Sequence, residues 1–84
     1  MKKITLTQHA KMKLAILRQH GFKITEDDIR NVLLDPDRLS KGYRGRKIAQ
    51  KRFDPDHVLR VVYEELNDEM RVVTVYPGRR ERYE

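Results

Sequence analysis

The chain has 84 residues, enough for one domain and one modest core; a domain of this size buries about 60–65% of the surface its unfolded chain exposes. Apolar and charged residues each make up 38%, and cysteine is absent, which excludes disulfides, zinc–thiolate sites and thiol catalysis. The formal net charge of +6 and a pI near 9.8 favour polyanionic partners, and the sequence has no run of about 18 apolar residues that would span a membrane. The opening lysines are followed by an alternating stretch and not by an apolar signal core, so the expected compartment is cytoplasmic.

Ile4-Thr5-Leu6 reads as a short first strand. Thr7 is placed to cap a helix from Gln8 to about His20 that Gly21 terminates, with Ala10, Leu14 and Leu17 as its buried stripe. A second helix starts at Thr25, where Asp28 three residues on forms a capping-box pattern and Glu26 and Asp27 suit the positive end of the helix dipole. Its apolar face is Ile29, Val32 and Leu33, and Asp35-Pro36 ends it. Arg38 to Arg46 reads as a glycine-containing loop, followed by a strand at about Lys47–Phe53 and a turn at Asp54-Pro55-Asp56. Val58–Leu66 and Glu69–Tyr76 are strands joined at Asn67-Asp68, and Pro77–Glu84 is a polar, arginine-rich tail. The expected architecture is a single α+β domain over residues 1–84. Its order is β-α-α-β-β-β, with two N-terminal helices packed on a mostly antiparallel sheet.

The hairpin turn sets Tyr63 opposite Val72 and Glu64 opposite Arg71. On that register Leu59, Val61, Tyr63, Met70, Val72, Thr74 and Tyr76 meet the helices. Arg60, Val62, Glu64, Arg71, Val73 and Val75 form the other face, a groove floor carrying cations.

Two basic clusters stand out. Lys41, Arg44, Arg46, Lys47, Lys51 and Arg52 form a stretch without acidic residues and with Tyr43 inside it. Arginine and lysine neutralise phosphates, and an aromatic ring stacks on bases; the alternative is a solvated loop with a lysine-protected edge strand. The second cluster is the tail, with Arg79, Arg80, Arg82 and Tyr83. RNA is cut without a metal when its own 2′-hydroxyl attacks the adjacent phosphate, which requires a base, cations for the charge building on phosphorus, and an acid. Arginines fit the second role and a tyrosine among them the first or third. Of the three histidines, His9 sits in the first helical turn, His20 at the helix end, and His57 at a turn where it is expected to be exposed and inert. Their spacing offers no metal site, Glu64 and Glu65 alternate across a strand, and no cofactor is expected.

Thr5-Leu6-Thr7-Gln8-His9-Ala10, the basic glycine-containing stretch, Leu59-Arg60-Val61-Val62-Tyr63 and Val72-Val73-Thr74-Val75-Tyr76-Pro77 together resemble the DUF4258 family. That family is grouped by similarity with the RelE/ParE toxin superfamily, which includes messenger-RNA endonucleases and gyrase inhibitors. The resemblance implies a RelE/ParE-like fold and a toxin of a toxin–antitoxin system that cleaves RNA, free or ribosome-bound, without a metal. It further implies a separately encoded antitoxin as partner. It points to Arg60, Arg80 and Tyr83 as catalytic candidates, with Arg79 beside them, Tyr76 as an outside candidate, and His9 as the residue matching the family's opening. It supplies candidates and no complete catalytic set. A non-catalytic nucleic-acid- or protein-binding module, or a gyrase-inhibiting toxin, are the competing expectations on the same scaffold.

Overall fold

The computed structural model describes residues 2–84. Strand β1 (Lys3–Leu6) leads into helix α1 (Gln8–Gln19) and helix α2 (Glu26–Leu34). Strand β2 (Arg38–Lys41), a single 3-10 turn at Tyr43–Gly45, and strands β3 (Lys47–Arg52), β4 (His57–Glu65) and β5 (Glu69–Arg79) follow. A one-turn helix, α3 (Arg80–Tyr83), ends the chain. The sheet has five strands in the order β1-β5-β4-β3-β2; β1 runs parallel to β5 and the remaining pairs are antiparallel.

Both helix starts follow from local chemistry. The Thr7 hydroxyl accepts from the Ala10 amide at 3.1 Å, and at Thr25 both bonds of the capping box form, with Asp28 accepting from the Thr25 amide at 2.9 Å and Thr25 accepting from the Asp28 amide at 3.1 Å. Gly21, at φ +91°, takes the left-handed conformation that ends α1. α1 packs on β5 and β1, and α2 on β4 and β3. Between helices and sheet lie Ala10, Leu14, Leu17, Ile24, Ile29, Val32, Leu33, Ala49, Leu59, Val61, Tyr63, Val72 and Val75. Burying each of the large aliphatic members contributes about 1.5–3 kcal/mol.

Three features depart from the sequence reading. Residues 38–41 pair with β3 as an edge strand where a loop is expected. Residues 80–83 form a helix folded onto the sheet where a polar tail is expected. The third departure concerns β5. Tyr63 does face Val72 and Glu64 faces Arg71, but Val62 faces Thr74, so Val73 is an extra, bulged residue. One inserted residue reverses the facing of everything beyond it. Val75 therefore enters the core, and Thr74 and Tyr76, expected inward, share the open face with their partners Val62 and Arg60. The bulge is tied to α1: the Thr7 hydroxyl donates to the Val73 carbonyl at 3.1 Å and the Thr7 amide donates to the Val72 carbonyl at 2.9 Å.

One hydroxyl thus serves a helix cap and a bulge carbonyl together. Thr7→Val keeps the shape of the side chain and removes both bonds, so it is expected to lower unfolding free energy by about 2 kcal/mol, read as a drop in urea midpoint.

Candidate nucleic-acid interface

The sheet face away from α1 and α2 is where chemistry-bearing side chains gather. Arg60 lies on β4, the middle strand, and its register partners are Gln50 on β3 and Tyr76 on β5. The three side chains stand side by side. Arg60 Nε donates to Tyr76 Oη at 2.8 Å, and Nη1 donates to Gln50 Oε1 at 2.6 Å. Gln50 is only 4% exposed, and its other end donates from Nε2 to the Tyr83 carbonyl at 3.1 Å, so the buried amide is satisfied at both ends. Arg38 Nη1 donates to the same carbonyl at 3.2 Å. The Tyr83 ring lies over the Arg60 guanidinium at 4.2 Å, a stacking distance, and the Tyr76 ring is 5.6 Å away.

Gly78 explains how the ring gets so close. A Cβ there would lie 2.4 Å from Tyr83 Cε2, so a side chain at this position cannot coexist with the ring as it stands. Arg80 is fixed independently of the ring: its amide donates to the Asp56 carbonyl at 2.9 Å and Nη1 to the Pro55 carbonyl at 2.8 Å. Its Nε donates to Glu84 Oε1 at 2.7 Å, and Arg52 Nη2 approaches the same oxygen at 3.5 Å. The hydrogen bond from Arg80, followed by that from Arg52, holds the Glu84 carboxyl below its ordinary value.

Beyond Tyr76 the same face continues into a cleft of about 530 Å³ floored by Ile48 and Val62 and rimmed by Lys41, Tyr43 and Arg46. The Tyr43 ring is 90% exposed, an aromatic surface held in solvent by the left-handed Arg44 (φ 58°) and Gly45 (φ 75°). Arg46 Nε is out of solvent with no hydrogen-bond partner among the described residues, the Glu64 carboxylate being 3.8 Å away. Arg52 and Arg80 at one end, Arg60 in the middle, and Lys41 and Arg46 at the other make one cationic track over an apolar and aromatic floor.

The structure therefore unites Arg60, Arg80 and Tyr83 with Lys41, Arg46 and Arg52, and leaves other sequence candidates outside. Lys51 stands opposite Leu59 on the helix side, where Nζ donates to the Asp35 carbonyl at 2.7 Å and so caps α2. Lys47 pairs with Glu65, which also takes Lys2 at 2.7 Å. Both lysines leave the candidate track because alternate residues of a strand face opposite ways. Arg44 is exposed in the turn beside Tyr43, Arg71 lies on the open face toward the hairpin end with Glu69 at 3.4 Å, and Arg79 is exposed beside Glu81 at 3.7 Å. His9 is exposed on α1, across the sheet from Arg60. His57, expected exposed, is half-buried: Nδ1 lies 3.0 Å from Asp54 Oδ1, and its ring meets Phe22 edge-on at 5.0 Å. Gln50, Arg38 and Glu84 are participants the sequence reading lacks. Gln50 is detectable in principle, since it is the residue that a β3–β4 pairing sets beside Arg60. Among the described residues no three His, Cys, Asp or Glu side chains come together as a cation site, and no helix is long and apolar enough to cross a membrane.

The motifs around this face match a known sequence model, described as a domain of unknown function, over residues 6–77. The chain belongs to the DUF4258 family. The match takes in both long helices, strands β2 to β4 and most of β5, and it stops before Gly78, so α3 lies outside it. The solution structure of a conserved hypothetical protein, HP0894, from Helicobacter pylori is similar to this DUF4258 domain. Its TM-score is 0.57 at 18% identity, over 96% of this chain and 97% of that one, a likeness of fold. No curated protein matches the chain in sequence.

Two measurements test this geometry. Gly78→Ala is expected to fold, to lift Tyr83 from Arg60, and to speed tryptic cleavage after Arg80 and Arg82 relative to the unaltered protein. The Glu65 carboxyl is pulled to about 2 by the hydrogen bonds from Lys2 and Lys47. A depressed folded-state value means that this stabilisation is complete above the ordinary value of 4.5 and is lost as pH falls toward 2. The urea midpoint should therefore fall over that range, and less steeply in Glu65→Gln.

Proposed function

We propose that this DUF4258 domain is a RelE/ParE-like toxin that binds single-stranded RNA along its open sheet face and cleaves it without a metal, a separately encoded antitoxin being its partner. The observation that carries the reading is Arg60, set at the centre of the open face with two of its five N–H donors fixed by Tyr76 and Gln50. A guanidinium anchored from the strands on both flanks presents its remaining donors in a fixed direction, which suits phosphate. Arg80, anchored on two backbone carbonyls, adds a second such group. The exposed Tyr43 ring and the apolar cleft floor suit stacked bases, and the lysine and arginine rim suits the strand's backbone.

In the proposed reaction the 2′-hydroxyl gives its proton to water and attacks the adjacent phosphorus, forming a 2′,3′-cyclic phosphate as the bond to the 5′-oxygen of the next nucleotide breaks. Arg60 and Arg80 stabilise the negative charge of that transition state. The Tyr76 oxygen accepts from Arg60, so its own proton is free for the departing 5′-oxygen, and water then reprotonates it.

Purified protein incubated with labelled messenger RNA, with and without ribosomes, is expected to cut it, and Arg60→Ala and Arg80→Ala are each expected to reduce the rate by ~100-fold or more. RNA left intact by the unaltered protein under both conditions overturns the nuclease reading. Salt-sensitive binding without turnover would then mark a binding module, and a DNA-damage response on expression without RNA loss would mark a gyrase-directed toxin.

A further inference from the structure

We propose that Tyr83 and Glu84 occupy the open face as an internal stand-in for one nucleotide, the ring in the place of a base on Arg60 and the carboxylate in the place of a phosphate between Arg52 and Arg80. The inference rests on the nucleic-acid reading above and adds that the protein holds its own site closed. RNA must displace the tail to bind.

The contacts match those of a nucleotide group by group. An aromatic ring stacks on the Arg60 guanidinium at 4.2 Å, as a base would. An anionic oxygen takes Arg80 Nε at 2.7 Å and Arg52 Nη2 at 3.5 Å, as a phosphate oxygen would. The Tyr83 carbonyl takes Gln50 and Arg38, two donors that a strand's sugar and backbone oxygens could take in turn. A ring needed only as a cover would be expected on apolar side chains; this one lies over the Arg60 guanidinium, and its own residue's carbonyl takes Arg38 and the Gln50 amide. Gly78 leaves a slot shaped for a flat ring and for no side chain of its own.

The tail is also built to leave. A four-residue helix has no stability of its own. Arg80 keeps its bonds to the Pro55 and Asp56 carbonyls whether or not Glu84 is present, so the chain can hinge beyond Arg80 while that arginine stays in the track. Release of the tail bares Arg52, Arg60 and Arg80 together.

The test is fluorescence anisotropy of a labelled single-stranded RNA oligonucleotide titrated with the full chain, its Glu84→Ala variant and, as a charge-matched control, Glu81→Ala, whose carboxylate lies 3.7 Å from the exposed Arg79. Glu84→Ala is expected to bind about five-fold tighter than the unaltered protein. Its log–log salt slope should steepen by about 0.7 for each arginine freed. Glu81→Ala, with the same net charge, should change little in either. Binding by the unaltered protein with Glu84→Ala equal to Glu81→Ala, or weaker than the parent, overturns the stand-in and leaves the interface reading intact. Absence of RNA binding by all three proteins overturns both.

Discussion

The Thr7 hydroxyl, shared between the first turn of α1 and the carbonyl of the bulged Val73, is the contact on which the open face depends. Without the bulge, β5 would continue its alternation from Val72, carrying Thr74 and Tyr76 into the core and leaving Val75 in solvent. With it, Val75 packs against the helices and Tyr76 turns to meet Arg60. Gly78 then falls on the same face two residues later, under the Tyr83 ring. A polar bond made at the N-terminus of a helix therefore decides which side chains line the opposite side of the sheet. Bulges of this kind bend and twist a strand where pairing must be re-aimed.

Much of the scaffold is legible in the sequence because its determinants are local. Thr7, Thr25 with Asp28, Gly21 and Asp35-Pro36 act on their neighbours and mark both helices correctly, and the Asn67-Asp68 turn sets the pairing of Tyr63 and Glu64. The bulge is not legible, since Val72-Val73-Thr74-Val75 has strand propensity at every position and its one hydroxyl, on the β-branched Thr74, is compatible with either face. The edge strand β2 escapes for a different reason. All four of its residues are exposed, so it carries no burial pattern, and its place comes from pairing with β3. The tail's helix depends on partners far away in sequence, Gly78 excepted.

The same distinction governs the candidate site. Arginine content locates the basic region but not its facing: within Lys47–Arg52, Lys51 turns to cap α2 and Arg52 turns to Glu84. Counting charges along a strand treats both as one patch, whereas the pleat sends them to opposite sides of the sheet. Lys2, Lys47 and Glu65 illustrate the result, as two cations of the basic excess are consumed in fastening three strand ends together. The charge available to a ligand is thus narrower than the net charge suggests, and it is concentrated on the track through Arg60.

That concentration has a cost which Gln50 resolves. Arg52, Arg60 and Arg80, gathered at one part of the open face, repel one another and need partners when no ligand is bound. The buried Gln50 amide takes one Arg60 donor, Tyr76 takes another, and the tail covers what remains with a ring and a carboxylate. The two kinds of partner are not equivalent. Breaking the Gln50 bond would orphan a buried oxygen, which is expensive, whereas removing Tyr83 from the guanidinium face exposes it to solvent or to a base. Gln50 Nε2 would lose the Tyr83 carbonyl in that step, so an incoming strand must return an oxygen to it. A ligand with a base, a phosphate and sugar oxygens can replace every contact the tail gives up without disturbing the bonds that aim Arg60, and a simple anion cannot.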